Sequence, residues 1–432
     1  MNVSDSERVA TSLVSKGYEI TKDENSADII LLNTCSVREK AEQKLYTRVG
    51  EVRASYAKKP MIGVMGCVAQ LEGETLFKKI NGVDFVLGTR AVGRVSNAIA
   101  KVLNYGPGYS DLGERELDYD WSVSDAQLHS PYVAFIPIIE GCNKFCTYCI
   151  VPFSRGREKS LPASDIIRNV LQLRRRGIKE IHLIGQNVNS YRPTTNSGLE
   201  NFAGKTPFSR LLRAVAATGM ERIKFNTSFP RDFHPDIVDA MDENGNLCNW
   251  VHLPVQSGSN DVLKRMKRLH SIERYFKIVD KIRSSKRGHS LTTDIIVGFP
   301  GETESDFQQT VKMVEYCGFD SAYIFNYSPR PGTPAYEMED DVSASEKTRR
   351  FRELEAVQRN MQGNNLQRYI NKSLKVLVEK RSAKSNTDMS GHSTCHKVVN
   401  FQADSQVLGT EVDVRITAVK SNSLYGEVVS AA

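Results

Sequence analysis

Three cysteines, Cys142, Cys146 and Cys149, fall within eight residues of the stretch FIPIIEGCNKFCTYCIVPFSRGRE, from Phe135 to Glu158. The stretch reads as an apolar strand, then Gly141, then the cysteines, then a loop carrying Pro152, Arg155 and Arg157. Three soft thiolates so close together point to a metal or cluster site. A structural zinc needs a fourth ligand, and no further Cys or His lies near enough in sequence to supply one. A [4Fe-4S] cluster held by three thiolates keeps one iron open, which suits catalysis. The spacing directly after a strand favours the cluster over zinc or inert thiols.

Two more cysteines share a pattern. Cys35 directly follows the apolar run ADIILLNT (Ala27 to Thr34), and Cys67 directly follows PMIGVMG (Pro60 to Gly66). Both runs have the length and composition of buried strands. Ligands of parallel α/β sheets bind beyond the carboxyl ends of the strands, so equivalent placement points to a shared site. Cys248, Cys317 and Cys395 show no ligand spacing and are expected to be buried thiols. The chain opens without a basic start and apolar core, and no apolar run reaches membrane-spanning length, so a cytoplasmic protein is expected. Disulfides are rare there, so the eight cysteines are not expected to form a disulfide framework, and metal or catalytic use is the better first reading.

The elements that must position these residues are α/β. Over residues 1–104 the two runs above and VDFVLGT alternate with helical stretches, the pattern of a doubly wound parallel α/β domain. Ser4 and Glu7 fit a capping box for a helix continuing through Val14. The strand that normally precedes a first helix is missing, which suggests a chain starting a few residues late. Residues 105–130 are polar, acidic and aperiodic, as in a linker. Residues 131–364 carry six strand–helix units, expected to form a partial (β/α)6 TIM-like barrel with its chemistry at the C-terminal strand ends. Those ends carry Glu140, Gln186 and Asn187, Thr227 and Ser228, Gln256 and Ser257, and Tyr327 and Ser328. Ser343 to Arg368 reads as a helix with a Phe351, Leu354, Val357 and Met361 stripe. Residues 365–432 alternate at Leu374, Val376, Val378 and at Val412, Val414, Ile416, as in a small antiparallel β-barrel of a kind that often binds oligonucleotides.

The net charge of +7 is modest, but KRMKRLH (Lys264 to His270) and RRRGIK (Arg174 to Lys179) are local excesses. Such runs suit a phosphate backbone or a solvated helix face.

CNKFCTYC resembles the CxxxCxxC signature of radical S-adenosylmethionine (SAM) enzymes. EGCNKFCTYCIVPFSRGRE, LIGQNVNSY, HLPVQSGSNDVLKRMKRLH, TTDIIVGFPGET and NYSPRPGTPA together are similar to the MiaB-type tRNA methylthiotransferases, over nearly the whole chain. The resemblance implies a methylthiotransferase domain, a radical SAM barrel and a C-terminal TRAM barrel. It implies methylthiolation of C2 of N6-isopentenyladenosine at tRNA position 37, with two [4Fe-4S] clusters and S-adenosyl-L-methionine as cofactors. In that scheme one SAM methylates a cluster-bound sulfur and a second generates the radical that attacks the base. Cys142, Cys146 and Cys149 match the radical cluster, and Cys35 and Cys67 match two of three auxiliary ligands. The third normally sits just before the motif that begins here at Met1-Asn2.

Tyr148, Gln186, Asn187, Gln256 and Asp294 are expected around the cofactor. Arg155 and Arg157 are expected on RNA phosphate or on the cofactor carboxylate, and Lys264, Arg265, Lys267 and Arg268 on RNA. Expected partners are isopentenylated tRNA, a low-potential donor such as flavodoxin and a sulfur source, with the protein monomeric and off the membrane. Enzymes acting on a ribosomal-protein aspartate share the architecture and stand as the alternative, beside an iron–sulfur RNA-binding protein without turnover.

Overall fold

The computed structural model describes residues 1–36, 39–55, 59–113, 127–383 and 385–429, the side chains of 39–42 excepted. Two compact units emerge. The first comprises Met1–His129, Glu140–Phe145 and Cys149–Lys159; the second comprises Ser130–Ile139, Cys146–Tyr148 and Ser160–Ala432.

In the first unit, β1 (Ile29–Thr34), β2 (Met61–Gly66), β3 (Phe85–Leu87) and β4 (Tyr109–Asp111) form one parallel sheet in that order. Side chains alternate across a strand, so each face gathers its own core. Ile62, Val64 and Val86 pack with Leu45, Val49 and Val52 on one side. Met65, Phe85 and Leu87 pack with Val9, Val95 and Ile99 on the other. This is the doubly wound arrangement expected. Gly63 is required where the Phe85 ring crosses it, since a Cβ there would stand 2.3 Å from the ring. The stretch read as a linker opens with β4, and residues 114–126 lie outside the described residues.

The capping box at Ser4 and Glu7 does not form. The helix begins at Asn2 with Met1 as an N-cap that makes no side-chain bond, which places both residues inside the helix. Asn33 Nδ2 donates to the Asn2 carbonyl (2.8 Å), and the Glu7 carboxylate accepts the His129 N–H (2.7 Å). These bonds tie the helix to its surroundings and do not cap its first N–H groups.

The second unit contains six parallel strands, β5 (Val133–Pro137), β6 (Glu180–Ile184), β7 (Arg222–Phe225), β8 (Trp250–His252), β9 (Ser290–Val297) and β10 (Ser321–Asn326), arranged as two three-stranded sheets. Backbone bonds from Cys248 to Ile223 (2.8 Å) and from Ser228 to His252 (3.1 Å) join β7 to β8. No pairing joins β5 to β10 among the described residues, so the barrel is partial. Ala134, Ile136, Ile181, Leu183, Ile223, Phe225, Val251, Leu291 and Ile295 are buried on one face, against the helices. The register puts Phe135, His182 and Lys224 together on the other face, and likewise His252 with Thr292 and Asp294 with Tyr323. One strand period therefore separates an apolar outer layer from a polar and aromatic lumen.

The long helix runs Ala344–Gln367, capped by Ser343. Of its expected stripe only Leu354 is fully buried; the buried residues are Lys347, Arg350, Leu354, Gln358, Asn365 and Leu366. It lies against polar backbone: Gln358 Nε2 and Asn365 Nδ2 both donate to the Phe319 carbonyl, and Arg350 pairs with Glu302 (2.9 Å).

Beyond it, β11 (Ser373–Arg381), β12 (Asp388–Ser393), β13 (Val398–Gln402), β14 (Glu411–Val419) and β15 (Leu424–Val428) close a five-stranded barrel, antiparallel except where β13 runs parallel to β15. Val376, Val378, Val414 and Ile416 fill it. This barrel packs on the N-terminal ends of the six strands. Lys397 Nζ meets Asp320 (2.9 Å) and Ser290 (3.1 Å), Arg222 pairs with Glu411 (3.0 Å), and His396 stacks on Trp250 at 4.2 Å between centroids. The opposite, C-terminal strand ends are the ones expected to do chemistry.

Candidate cluster and cofactor site

The cysteine loop follows β5. Its entry is fixed by Gly141 at φ 79°, where a Cβ would stand 2.2 Å from the Arg157 carbonyl. The Cys142 N–H donates to the Gly156 carbonyl (3.0 Å), and the Glu158 N–H donates to Asn143 Oδ1 (3.1 Å), so both edges of the loop are tied. Within the second unit, the Thr147 N–H donates to the Met266 carbonyl (3.1 Å) and its Oγ1 to the Arg265 carbonyl (2.9 Å). The Thr147 carbonyl in turn accepts from the Ala335 N–H (2.8 Å). Tyr148 packs edge-on to Phe299 at 6.5 Å, beside Val262 and Met266.

Cys142 and Cys146 are buried and Cys149 is half-buried. Among the described residues no three His, Cys, Asp or Glu side chains are grouped as around a single metal ion. A cluster asks for something different, because each thiolate takes its own iron and the sulfurs spread apart. In the first unit, Thr34 pairs with Gly66 in the β1–β2 register, so Cys35 and Cys67 are the next residues after two adjacent strand ends. Gly66, at φ 96°, has no room for a side chain: a Cβ would meet the Thr34 carbonyl at 2.6 Å.

The strand ends of the second unit carry the polar groups a SAM-sized ligand needs. Gln186 Oε1, Asn226 Oδ1 and Ser228 Oγ are buried without a hydrogen-bond partner among the described residues. Buried polar atoms are nearly always paired, so such a group beyond β6 and β7 fits a polar ligand. Asn187 is buried beside Gln186. Gln256 adopts φ 79° while its backbone bonds Asp294 and Ile296 (2.9 Å each), which seats it at the end of the lumen. Asp294 lies on the lumen face, 3.6 Å from His252 Nε2.

Ser228 is expected only as one of the strand-end residues, and Asn226, Thr147 and Asn189 are not expected in the site from the sequence. Asn189 clamps the loop after β7 by bonding both the N–H and the carbonyl of Phe229 (2.8 Å each). The positions of Asn226 and Ser228 around Thr227, at the end of a strand, were the available signal.

The basic residues divide. Arg157, Lys264 and Lys267 are exposed, and Arg265 is half-buried, bonding the Gly301 carbonyl (2.8 Å). Two expectations fail. Arg155 is 4% exposed and its guanidinium pairs with Asp5 (2.6 Å) and Glu140 (3.1 Å), so it braces the fold instead of facing RNA. Arg268 is 5% exposed and points inward. Cys248, Cys317 and Cys395 are buried as expected; burial pushes the Cys248 thiol up to about 11 and the Cys317 thiol up to about 12.

Three family patterns match: an uncharacterized protein family, UPF0004, over residues 1–88, the radical SAM superfamily over 136–314, and the TRAM domain over 367–429. A tRNA-2-methylthio-N(6)-dimethylallyladenosine synthase of Buchnera aphidicola subsp. Baizongia pistaciae is 40% identical, over 99% of this chain and 95% of its own length. That of Clostridium tetani is 41% identical, over 99% of this chain and 94% of its own. The chain belongs to the tRNA-2-methylthio-N(6)-dimethylallyladenosine synthase family.

As a fold, this synthase-family chain resembles the radical S-adenosylmethionine methyltransferase TsrM from Kitasatospora setae, solved with cobalamin and a [4Fe-4S] cluster. The TM-score is 0.54 at 14% identity, covering 77% of this chain and 73% of that one. Every motif that carried the resemblance read from the sequence lies inside the stretch aligned with the synthase relatives.

Proposed function

We propose that this protein is a tRNA-2-methylthio-N6-isopentenyladenosine synthase, installing a methylthio group at C2 of N6-isopentenyladenosine at position 37 of tRNA. The observation that carries this reading is full-length identity of about 40% to synthases of that name. An aromatic C2–H is not acidic enough for a side-chain base working near neutral pH. Chemistry of that difficulty belongs to cofactors, and protein positions them. When bound, two [4Fe-4S] clusters and S-adenosyl-L-methionine supply the radical, the sulfur and the methyl group.

The chain's own residues have the remaining roles. Cys142, Cys146 and Cys149 hold the radical cluster, and Cys35 and Cys67 contribute to the auxiliary one. Gln186, Asn187, Gln256 and Asp294, joined by Asn226 and Ser228, bind and orient SAM at the C-terminal strand ends, with Tyr148 beside them. Arg157, Lys264, Arg265 and Lys267 and the C-terminal barrel take the tRNA phosphates. A low-potential one-electron donor such as flavodoxin and a sulfur source complete the system. We place it as a monomer in the cytoplasm, where its tRNA substrate is; among the described residues no helix is long and apolar enough to cross a membrane.

The test is complementation. Expressed in a bacterium deleted for its own synthase, the protein restores the methylthio group to isopentenylated tRNA, seen by mass spectrometry of digested nucleosides. Unmodified isopentenyladenosine in the presence of soluble, iron-loaded protein contradicts the reading.

A further inference from the structure

The run KRMKRLH looks, in sequence, like one continuous basic patch, but the backbone splits it. Lys267 and Leu269 both take a left-handed φ of 58° and are exposed, while Arg268 between them is buried. A non-glycine residue at positive φ is uncommon, and two flanking one side chain mark a position the fold over-determines. The Arg268 N–H donates to the Leu263 carbonyl (2.9 Å), which fixes the turn from within.

Inside, the guanidinium is held on three sides. Nη2 donates to the Pro254 carbonyl (2.6 Å), the group lies over the Phe229 ring at 4.5 Å from its centroid, and Nη1 donates to Cys146 Sγ at 3.6 Å. The planar fork suits this combination of carbonyl, ring face and sulfur; a compact ammonium on a flexible stem does not. A buried, permanently charged donor therefore rests on one of the three thiolates assigned to the radical cluster.

We propose that Arg268 is a positioning residue that raises the reduction potential of the cluster bound by Cys146, through its charge and its N–H···S bond. The inference rests on the reading of Cys142, Cys146 and Cys149 as cluster ligands. Cluster potentials follow net charge, hydrogen bonds to sulfur and solvent exposure, and Arg268 acts on the first two. The one electron taken up by the oxidised cluster comes from the low-potential donor. Arg268 neither gains nor loses a proton, and no bond to it forms or breaks. Its positive charge favours the more negative, reduced state, and the sulfur bond draws density from the thiolate in the same direction.

The experiment is an EPR-monitored redox titration of the full chain, reconstituted with iron and sulfide, without tRNA. Wild type, R268K and R268Q are compared at equal iron content. In R268Q the ratio of reduced to oxidised cluster at a fixed potential falls about tenfold, equivalent to about 59 mV for one electron; R268K lies between. Equal midpoint potentials in wild type and R268Q overturn the proposal, as does a change confined to SAM affinity. If R268Q loses iron, the wild-type protein labelled with 15N-arginine decides by pulsed EPR. A 15N coupling to the reduced cluster supports the proposed N–H···S bond, and its absence overturns it. A separate control addresses the parent reading: a cluster signal that survives Cys146→Ala removes Cys146 from the ligand set and the proposal with it.

Discussion

Arg155 shows how one side chain can hold a catalytic loop to its scaffold. Its guanidinium sits between Asp5 and Glu140, and all three side chains are almost fully buried. Such an arrangement is weak as net stabilisation but costly to break, because the surviving charges have no water to turn to. Arg155→Met therefore destabilises the protein by ~3–5 kcal/mol, measured as a lowered urea midpoint at unchanged slope. Arg155→Lys, which keeps the charge, loses less. A surface arginine that only touched RNA would leave the midpoint where it was. Arg268 makes the same point through a different chemistry, with a thiolate and a ring face where Arg155 has carboxylates.

At the scale of elements, His396 stacks on Trp250 where the C-terminal barrel meets the six-stranded half-barrel, and His270 packs beside Phe229 and Tyr275 in the turn after Arg268. Burial, then the cations of Lys224 and the neighbouring histidines, hold His396 down to about 2. Burial, then the Arg268 guanidinium, holds His270 down to about 4 from the ordinary 6.5. A histidine whose folded pKa is depressed is neutral in the fold while the unfolded chain binds the proton. Its contribution is therefore complete above pH 6.5 and is lost as pH falls below it. For His270 the loss amounts to about 3 kcal/mol by pH 4, at about 1.36 kcal/mol per unit. Thermal melts between pH 7.5 and 4.5 should show a falling Tm, with His270→Gln flattening the lower part of the curve. A Tm that holds constant over that range contradicts the assignment.

What the sequence made legible follows the same division. The strand runs of the first unit were readable because strands buried on both faces leave a short continuous apolar run, as at Met61–Gly66 and Phe85–Leu87. The cysteine positions were readable because they directly follow those runs. The long helix misled because its buried face meets the Phe319 carbonyl and Glu302, so it is lined by Lys347, Arg350, Gln358 and Asn365. Polar residues satisfied by distant partners have no local pattern. The same holds for Arg155, whose partner Asp5 lies 150 residues away, and for the false capping box at Ser4. Asn226, one residue before the strand-end pair Thr227 and Ser228, declares itself only once burial shows that its Oδ1 lacks a partner among the described residues.

For the molecule as a whole, affinity for tRNA should be largely electrostatic. Removing one side chain that neutralises a phosphate reduces the slope of log K against log salt by about 1. Arg157→Ala, Lys264→Ala and Lys267→Ala are each expected to do so in filter-binding titrations, whereas R268Q leaves the slope unchanged because its charge is buried. Equal slopes in all four variants would remove these residues from the RNA-binding surface.

One assay tests directly whether the cysteine loop drives methylthiolation of isopentenyladenosine. Purified protein, reconstituted with iron and sulfide, is incubated with SAM, a low-potential reductant and tRNA carrying isopentenyladenosine, and the digested nucleosides are weighed by mass spectrometry. Wild-type protein is expected to form 2-methylthio-N6-isopentenyladenosine, and Cys142→Ala, Cys146→Ala and Cys149→Ala none. Product formed undiminished by those variants, or no product from the iron-loaded wild type, would contradict this role of the loop.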